Sequence, residues 1–156
     1  MSLSVFERIC AMLDTAGVVY ELSHHAPVIT SEEASRVRGV DMHTGAKALV
    51  MRTDKTKQYV LFVLPADLRL DKKKVKVLIG ESVSFADDPA TVTGCVRGSV
   101  PPFGSALGLT TYCDQRLADN LKINLNAGSL TDSVKMKYED YLALERPKVV
   151  DIAEVP

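Results

Sequence analysis

Apolar residues recur along the chain at helical and strand spacings and divide it into short elements. Val5, Ile9 and Met12 share one helical face after the capping residue Ser4, which predicts a helix over residues 4–16. Further helices are predicted where a capping residue precedes an apolar face and glycine or a polar turn follows it. These helices cover residues 30–39, 72–79, 89–93 and 139–144.

Strands are predicted where apolar residues alternate or form short continuous runs. The central pair covers residues 46–52 and 58–64, and the polar residues 54–57 between them suit a hairpin. The second of these strands is continuously apolar, so we expect it to be covered on both faces. Other strands are predicted at residues 18–22, 109–112, 122–126 and 134–137, and the tail 146–156 is either a terminal strand or mobile.

Residues 94–104 carry three glycines and two prolines, a density that fits neither a helix nor a central strand. We therefore predict an irregular, structured loop. Gly98 can let backbone groups approach a ligand closely, because glycine has no side chain to block them. A tight connection between two elements explains the same residues equally well.

Lys47 stands at the start of a predicted apolar strand. Alternation places it on one face with Leu49 and Met51, and places Ala46, Ala48 and Val50 on the other. Near apolar surface or in a cleft, its ammonium can donate to a carbonyl or ester oxygen. The pattern alone favours the simpler interpretation, a strand-end lysine whose stem covers apolar surface while its charge reaches water.

The composition is ordinary for a globular chain, with 46% apolar and 25% charged residues among 156, and the length fits one domain over residues 1–156. No apolar run approaches the roughly 20 residues that span a bilayer, and no signal peptide is evident, so we expect a cytoplasmic protein. The net charge of −1 lacks the basic excess typical of proteins that grip duplex phosphate. Any contact with nucleic acid should therefore be local.

The cysteine and histidine spacings indicate neither a disulfide framework nor a metal site. Cys113 is one option for a thiol nucleophile, but no adjacent residue offers a base, and a small buried hydrophobic residue is the better interpretation. His25 and His43 are acid–base candidates that equally suit capping or surface roles. Asn126 and Ser133 either line a pocket near the end of the sheet or finish turns.

A series of short motifs, spread over about residues 20–130, resembles the YbaK family, also called the prolyl-tRNA synthetase-associated domain. The order and spacing of the motifs, rather than any one of them, make the resemblance strong. The motifs are His25-Ala26-Pro27, Thr30-Ser31-Glu32-Glu33-Ala34, Gly45-Ala46-Lys47-Ala48-Leu49-Val50, Leu64-Pro65-Ala66-Asp67, Leu70-Asp71-Lys72-Lys73-Lys74, Thr93-Gly94, Gly98-Ser99-Val100-Pro101-Pro102-Phe103-Gly104 and Asn126-Ala127-Gly128-Ser129.

The resemblance implies a single α+β domain with a mixed, mostly antiparallel central sheet, partly barrel-like and flanked by short helices. Family members are editing domains that hydrolyse the ester of a wrong amino acid on tRNA, often tRNA for proline, without a metal, a cofactor or a protein nucleophile. The family's essential lysine falls on Lys47, which makes it the catalytic candidate. The substrate-binding candidates are Gly98, Ser99, Val100, Pro102, Phe103, Gly104, His25, Thr30, Asn126 and Ser133.

Two departures from the family pattern bear on the substrate. Gly98-Ser99 stands where some members have two glycines, and Ser23-His24 stands where some have an aromatic residue. These features favour the alanyl or seryl/threonyl branches over the cysteinyl branch. We therefore expect removal of Ala, Ser, Thr or Cys from the acceptor end of a mischarged tRNA, with prolyl-tRNA synthetase as a candidate partner. The alternatives are a non-catalytic tRNA- or synthetase-binding module and a thiol hydrolase that uses Cys113.

Overall fold

The computed structural model describes residues 3–27 and 41–155, which form one α+β unit. Its helices are α1 (Val5–Thr15), α2 (Lys72–Ile79), α3 (Pro89–Thr93) and α4 (Tyr138–Glu145). Its strands are β1 (Tyr20–His24), β2 (Ala46–Thr53), β3 (Tyr59–Pro65), β4 (Val83–Phe85), β5 (Thr110–Asp114), β6 (Lys122–Asn126), β7 (Asp132–Lys137) and β8 (Lys148–Val150). The predicted α+β class is confirmed, and the helix predicted over residues 30–39 lies outside the described residues.

The helix boundaries follow the capping residues read from the sequence. The side chain of Ser4 accepts a hydrogen bond from the third residue of α1, and Asp71 and Asp88 do the same for the first turns of α2 and α3. Gly80 and Gly94 end α2 and α3 in the left-handed conformation. Local chemistry therefore sets these ends, as predicted.

The larger sheet has the strand order β4-β2-β3-β5-β8. β2 pairs antiparallel with β3 and β4, whereas β5 pairs parallel with β3 and β8. The hairpin between β2 and β3 is confirmed, and β8 shows that the tail contains a terminal strand. β4 was not predicted, because three residues are too few to display a period.

The smaller sheet is antiparallel, with the order β1-β7-β6. An isolated parallel bridge between Gly45 and Asn124 joins its last strand to the start of β2. The described strands therefore form two joined sheets that do not close into a barrel. β1 begins two residues later than predicted, because Gly17 has a φ of 70° and the amide of Val18 still donates to Leu13 at the end of α1.

Both faces of β2 and β3 are covered by core residues. Ala46 and Val50 belong to the main core, which also holds Ile9 of α1, while Met51 packs with Val75 of α2 on the opposite face. Each such fully buried aliphatic side chain contributes about 1.5–3 kcal/mol. The two-sided burial predicted for β3 is confirmed, because Leu61 lies in the main core and Phe62 lies in the cluster on the opposite face. Packing on both faces also makes β2 a rigid support for Lys47.

The residues after β8 run back along the start of α2. The amide of Asp71 donates to the carbonyl of Ile152 at 2.7 Å, and Ala153 packs in a small cluster with Leu64 and Leu68. The tail therefore supports the segment between β3 and α2. In the described part of the chain, no helix is both long and apolar enough to cross a membrane.

Candidate active site

Lys47 occupies the second position of β2, where its side chain is half-buried. Its Nζ donates to the carbonyl oxygen of Leu68 at 2.6 Å. Burial lowers the pKa of Lys47, the carboxylate of Asp67 opposes this effect, and Arg69 adds to it. An ammonium carries three N–H donors, so Leu68 orients the group while leaving donors for other acceptors. A cation in this partly desolvated position exerts a stronger field than one in water.

A second group of charges lies beside this lysine. His43 Nδ1 is 2.9 Å from Asp67 Oδ1, and His43 Nε2 is 3.1 Å from Asp119 Oδ2. Only the protonated ring can donate from both nitrogens. Burial lowers the pKa of His43, but the hydrogen bonds and charges of Asp67 and Asp119 outweigh it, so the net shift is upward. The imidazolium thus ties the Asp67 segment, next to the acceptor of Lys47, to the turn after β5.

The His43 bridge predicts a pH-dependent contribution to stability. Because the folded-state pKa of His43 is raised, the contribution is fully present below the unfolded value near 6.5 and is lost as the pH rises through the folded value. His43→Gln should lower Tm by about 2–4 °C at pH 5.5, corresponding to about 1 kcal/mol. The difference from the wild type should shrink towards pH 9. Thermal melts across this range measure it, and a pH-independent difference would contradict the bridge.

A cavity of about 220 Å³ opens where β4 stops pairing with β2. β4 pairs only with Met51–Thr53, after which the chain turns away into α3. The walls are mostly apolar. They include Ala48, which follows Lys47 on β2, whereas the described walls do not include Lys47 itself. The cavity is lined by Ala48, Leu49, Val50, Phe85, Ala86, Pro89, Arg97, Gly98 and Val100. Of these, only Gly98 and Val100 were predicted from the sequence.

The loop that closes the cavity is held by backbone hydrogen bonds. Gly98 has a φ of 87°, and the amide of Ser99 donates to the carbonyl of Val96 at 3.0 Å, which forms a tight turn. The Ser99 hydroxyl donates to the same carbonyl, and the Ser99 carbonyl accepts from Gly128 at 3.0 Å. The loop is therefore attached to the turn between β6 and β7, and the buried Ser99 hydroxyl is used within it.

Replacing Gly98 with valine should block the cavity and strain the turn. Valine at a positive φ costs roughly 1–2 kcal/mol, and its side chain would sit at the cavity wall. We expect turnover to fall at least tenfold. Gly80→Val is the matched control, since Gly80 has a φ of 93° at the end of α2 with open space around it. Similar Tm losses and equal turnover in both variants would show that the Gly98 loop is only a connection.

Three of the predicted substrate-binding residues lie in the core. The carbonyl of Pro102 accepts a hydrogen bond from the hydroxyl of Tyr141 at 2.7 Å, and the Phe103 ring packs edge-on against Tyr141 at 5.2 Å between centroids. The amide of Gly104 donates to Thr111 at 2.9 Å. All three predicted residues are buried, so they support the loop from behind.

Three other predicted residues meet at the end of the smaller sheet. His25 Nδ1 lies 2.8 Å from the carbonyl of Ala26 and donates to it, and Nε2 lies 2.6 Å from the Ser133 hydroxyl oxygen. In the neutral ring, Nε2 accepts from that hydroxyl. Asn126 is the cross-strand neighbour of Ser133 in the β6–β7 pair. The Gly128 contact connects this group to the Gly98 loop, and the predicted residue Thr30 lies outside the described residues.

The placement of Cys113 argues against a thiol nucleophile. Its side chain is fully buried on β5, and burial, with a smaller contribution from Asp114, raises the pKa of Cys113 to about 12. A thiol needs a lowered pKa and access to substrate to act as a nucleophile near neutral pH. Within residues 3–27 and 41–155, no three histidine, cysteine or acidic side chains are grouped in a way that could hold a metal ion.

The sequence and the fold both match one class of proteins. A family model described as the aminoacyl-tRNA editing domain matches residues 25–144, which is more than half of the chain. The chain therefore belongs to the aminoacyl-tRNA editing domain family, and the resemblance found in its sequence motifs is confirmed.

Individual relatives cover nearly the whole chain. It is 34% identical to the multifunctional Ser/Thr-tRNA deacylase ProXp-y of Escherichia coli strain K12, over 93% of this chain and 90% of that protein. It is 26% identical to the prolyl-tRNA editing protein ProX of Acetoanaerobium sticklandii, over 90% of each chain. A crystal structure of a candidate trans-editing enzyme for prolyl tRNA synthetase superposes with a TM-score of 0.83 at 26% identity, covering 99% of this chain and 100% of that one.

Proposed function

We propose that this chain is a trans-editing deacylase that removes a wrong small amino acid from mischarged tRNA, with tRNA for proline as the first candidate. The observation that carries the proposal is the half-buried Lys47 ammonium, which the Leu68 carbonyl orients and which precedes the stretch of β2, Ala48 to Val50, that lines an apolar cavity bounded by Gly98. The 34% identity to a protein named Ser/Thr-tRNA deacylase supports the same activity. The names of the other two relatives, a prolyl-tRNA editing protein and a candidate trans-editing enzyme for prolyl tRNA synthetase, support tRNA for proline as the substrate.

The proposed reaction is hydrolysis of an ester, without a metal or a covalent enzyme intermediate. Water adds to the ester carbonyl, the bond between the carbonyl carbon and the ribose oxygen breaks, and the ribose oxygen takes up a proton. The products are the free amino acid and tRNA with a free terminal hydroxyl. Lys47 would stabilise the negative charge that develops on the carbonyl oxygen, while the backbone of the Gly98 loop positions the ester. An aminoacyl ester is already activated, so these two effects suffice.

The cavity supports a preference for small side chains. Its volume of about 220 Å³ must hold the amino acid and part of the ribose, and its walls near β2 are formed by Ala48 and Val50. Excluding a larger residue by steric contact is effective, whereas a missing methylene is worth only about 1–3 kcal/mol. We propose that Ala, Ser, Thr or Cys enters. Pro is excluded because its side chain forms a rigid ring with the amino nitrogen, so that it cannot turn away from the cavity walls as an open side chain can. His25, Thr30, Asn126 and Ser133 would complete the binding site.

A deacylation panel tests this proposal. One tRNA for proline, charged in turn with Ala, Ser, Thr, Cys and Pro, should lose the small amino acids at least tenfold faster than proline. Activity should persist in EDTA and in a folded variant whose three cysteines are replaced by serine. Equal rates for the prolyl and alanyl esters would refute the size argument. Binding of tRNA without turnover at high protein concentration would instead identify a non-catalytic module.

We also propose that prolyl-tRNA synthetase helps to deliver the substrate. The net charge of −1 gives the chain little general attraction for tRNA, so a partner that already holds the tRNA would raise its local concentration. Sedimentation of the chain with the synthetase and its tRNA tests this idea. An unchanged deacylation rate on addition of the synthetase, together with no co-sedimentation, would contradict it. The cytoplasm is the compartment in which we expect this encounter.

A further inference from the structure

We propose that Phe85 is a stacking platform for the base of the 3′-terminal nucleotide of tRNA, an inference that rests on the deacylase function proposed above. Phe85 ends β4 at the edge of the larger sheet, and 53% of its surface is exposed. An exposed aromatic ring is a sequence-tolerant surface for nucleobases, and such stacking makes a substantial contribution to single-strand binding. Neither the hydrophobic pattern nor the family motifs had singled out this residue.

Phe85 lies at the cavity that we propose holds the aminoacyl ester. The ring lines the 220 Å³ cavity together with Gly98 and Val100. Phe85 also lines a second, more polar cavity of about 310 Å³, which includes Tyr59 with 40% of its surface exposed. A nucleotide whose ester enters the first cavity must place its base at the rim, where Phe85 lies. The second cavity then lies in the path of the preceding nucleotides.

Cationic side chains lie near Phe85 and along the two cavities that it lines. The ammonium of Lys72 lies over the ring, 5.5 Å from its centroid. Arg97 lines the first cavity, and Arg52 and Lys57 line the second. Aromatic rings flanked by lysine and arginine are the usual composition of surfaces that bind single-stranded nucleic acid. The acceptor end of a tRNA is single-stranded, so this local patch suits it despite the net charge of the chain.

Three carboxylates also line the second cavity, and two of them have internal roles. Asp54 accepts hydrogen bonds from the hydroxyls of Ser82 and Ser84, and these bonds lower the pKa of Asp54. Asp88 caps α3 by accepting from the amide of Ala90 at 3.1 Å. The remaining carboxylate, Asp87, is exposed. Hydrogen bonding does not remove the charges of Asp54 and Asp88, so the three carboxylates offset all but one of the four cations of the patch. The charges therefore provide little attraction, and stacking on Phe85 has to supply most of the affinity.

Comparing two substrates shows whether Phe85 acts by stacking on the terminal base or only by packing in the cavity wall. The first is Ser-tRNA for proline, and the second is serine methyl ester, which has no base. Phe85→Leu keeps an apolar side chain but removes the aromatic face, and Phe85→Trp restores it. For Phe85→Leu we expect KM for Ser-tRNA to rise about tenfold or more, as loss of one base stack implies. Because Phe85 also forms part of the cavity wall, kcat and the hydrolysis of serine methyl ester should change by much less than KM for Ser-tRNA, and Phe85→Trp should restore the wild-type KM.

The matched control is Val149→Ala, because Val149 lies on the opposite edge strand of the same sheet with 49% of its surface exposed. It should leave both substrates unaffected. Wild-type KM in Phe85→Leu, or an equal loss on both substrates, would overturn the platform while leaving the deacylase proposal intact. If the wild type hydrolyses none of the Ala-, Ser-, Thr- and Cys-charged tRNAs, the deacylase proposal fails, and binding of an uncharged oligonucleotide ending in CCA then decides. Weaker binding by Phe85→Leu sustains the platform, and equal binding refutes it.

Discussion

Replacing Lys47 with alanine is expected to reduce deacylation by about 10²–10³-fold, the usual loss when one donor to a developing oxyanion is removed. Its Nζ is already oriented by the carbonyl of Leu68, so little reorganisation is needed when negative charge develops on a substrate. The variant loses one hydrogen bond of about 1 kcal/mol, so Tm should fall by only about 2–4 °C. Single-turnover rates on Ser- or Ala-tRNA, measured beside thermal melts, give both quantities.

The control must show that the loss of activity is specific to Lys47 and does not follow from removing any lysine on a strand. Lys148 of β8 is a suitable partner, because its ammonium lies 5.3 Å from the centroid of the Tyr112 ring at the far side of the sheet. Lys148→Ala should retain full turnover with a similarly small change in Tm. Lys47→Met, which keeps the apolar stem, should be as inactive as the alanine variant. Near-normal turnover in Lys47→Met would remove Lys47 from the mechanism.

Local signals in the sequence were enough to predict most of the fold. Helix caps such as Asp71 and Asp88, and the left-handed glycines that follow, act within a few residues and are therefore visible in one sequence. The alternation of Lys47 and Ala48 across two faces of β2 is likewise a local property. β4 was missed because it exists through pairing with Met51–Thr53, and the paired residues are 30 to 34 positions apart in the sequence.

The candidate site was harder to predict because its walls come from separate parts of the chain. Gly98 was recognised by its unusual loop, but Phe85 reaches the same cavity only because β4 pairs with β2. The family motif that contains Pro102 and Phe103 suggested pocket residues, whereas their side chains pack in the core. A motif identifies a segment under constraint, but it does not distinguish the side that meets the substrate from the side that supports it.

Replacing Asp114 with asparagine is expected to cause the largest loss of stability. This fully buried carboxylate accepts hydrogen bonds from the amides of Ile152 and Ala153 at 2.8 and 2.9 Å, and it also pairs with Arg116. Asparagine removes the negative charge. Its side-chain NH2 group would also face N–H groups, which need an acceptor rather than another donor. The loss should be about 2–4 kcal/mol, which corresponds to a decrease in Tm of about 5–15 °C for a chain of this size.

The control is another acid that contacts Arg116. Asp151 pairs with Arg116 at 2.8 Å and with Lys74 at 2.9 Å, but it is exposed, so Asp151→Asn should change stability by less than about 1 kcal/mol. Hydrogen exchange at the amides of Ile152 and Ala153 gives a local measurement, since both amides should exchange faster only in the Asp114 variant. Because Ala153 packs against Leu68, whose carbonyl holds Lys47, release of the tail should also lower turnover below the melting range. Equal Tm values for the two variants would show that Asp114 does not anchor the tail.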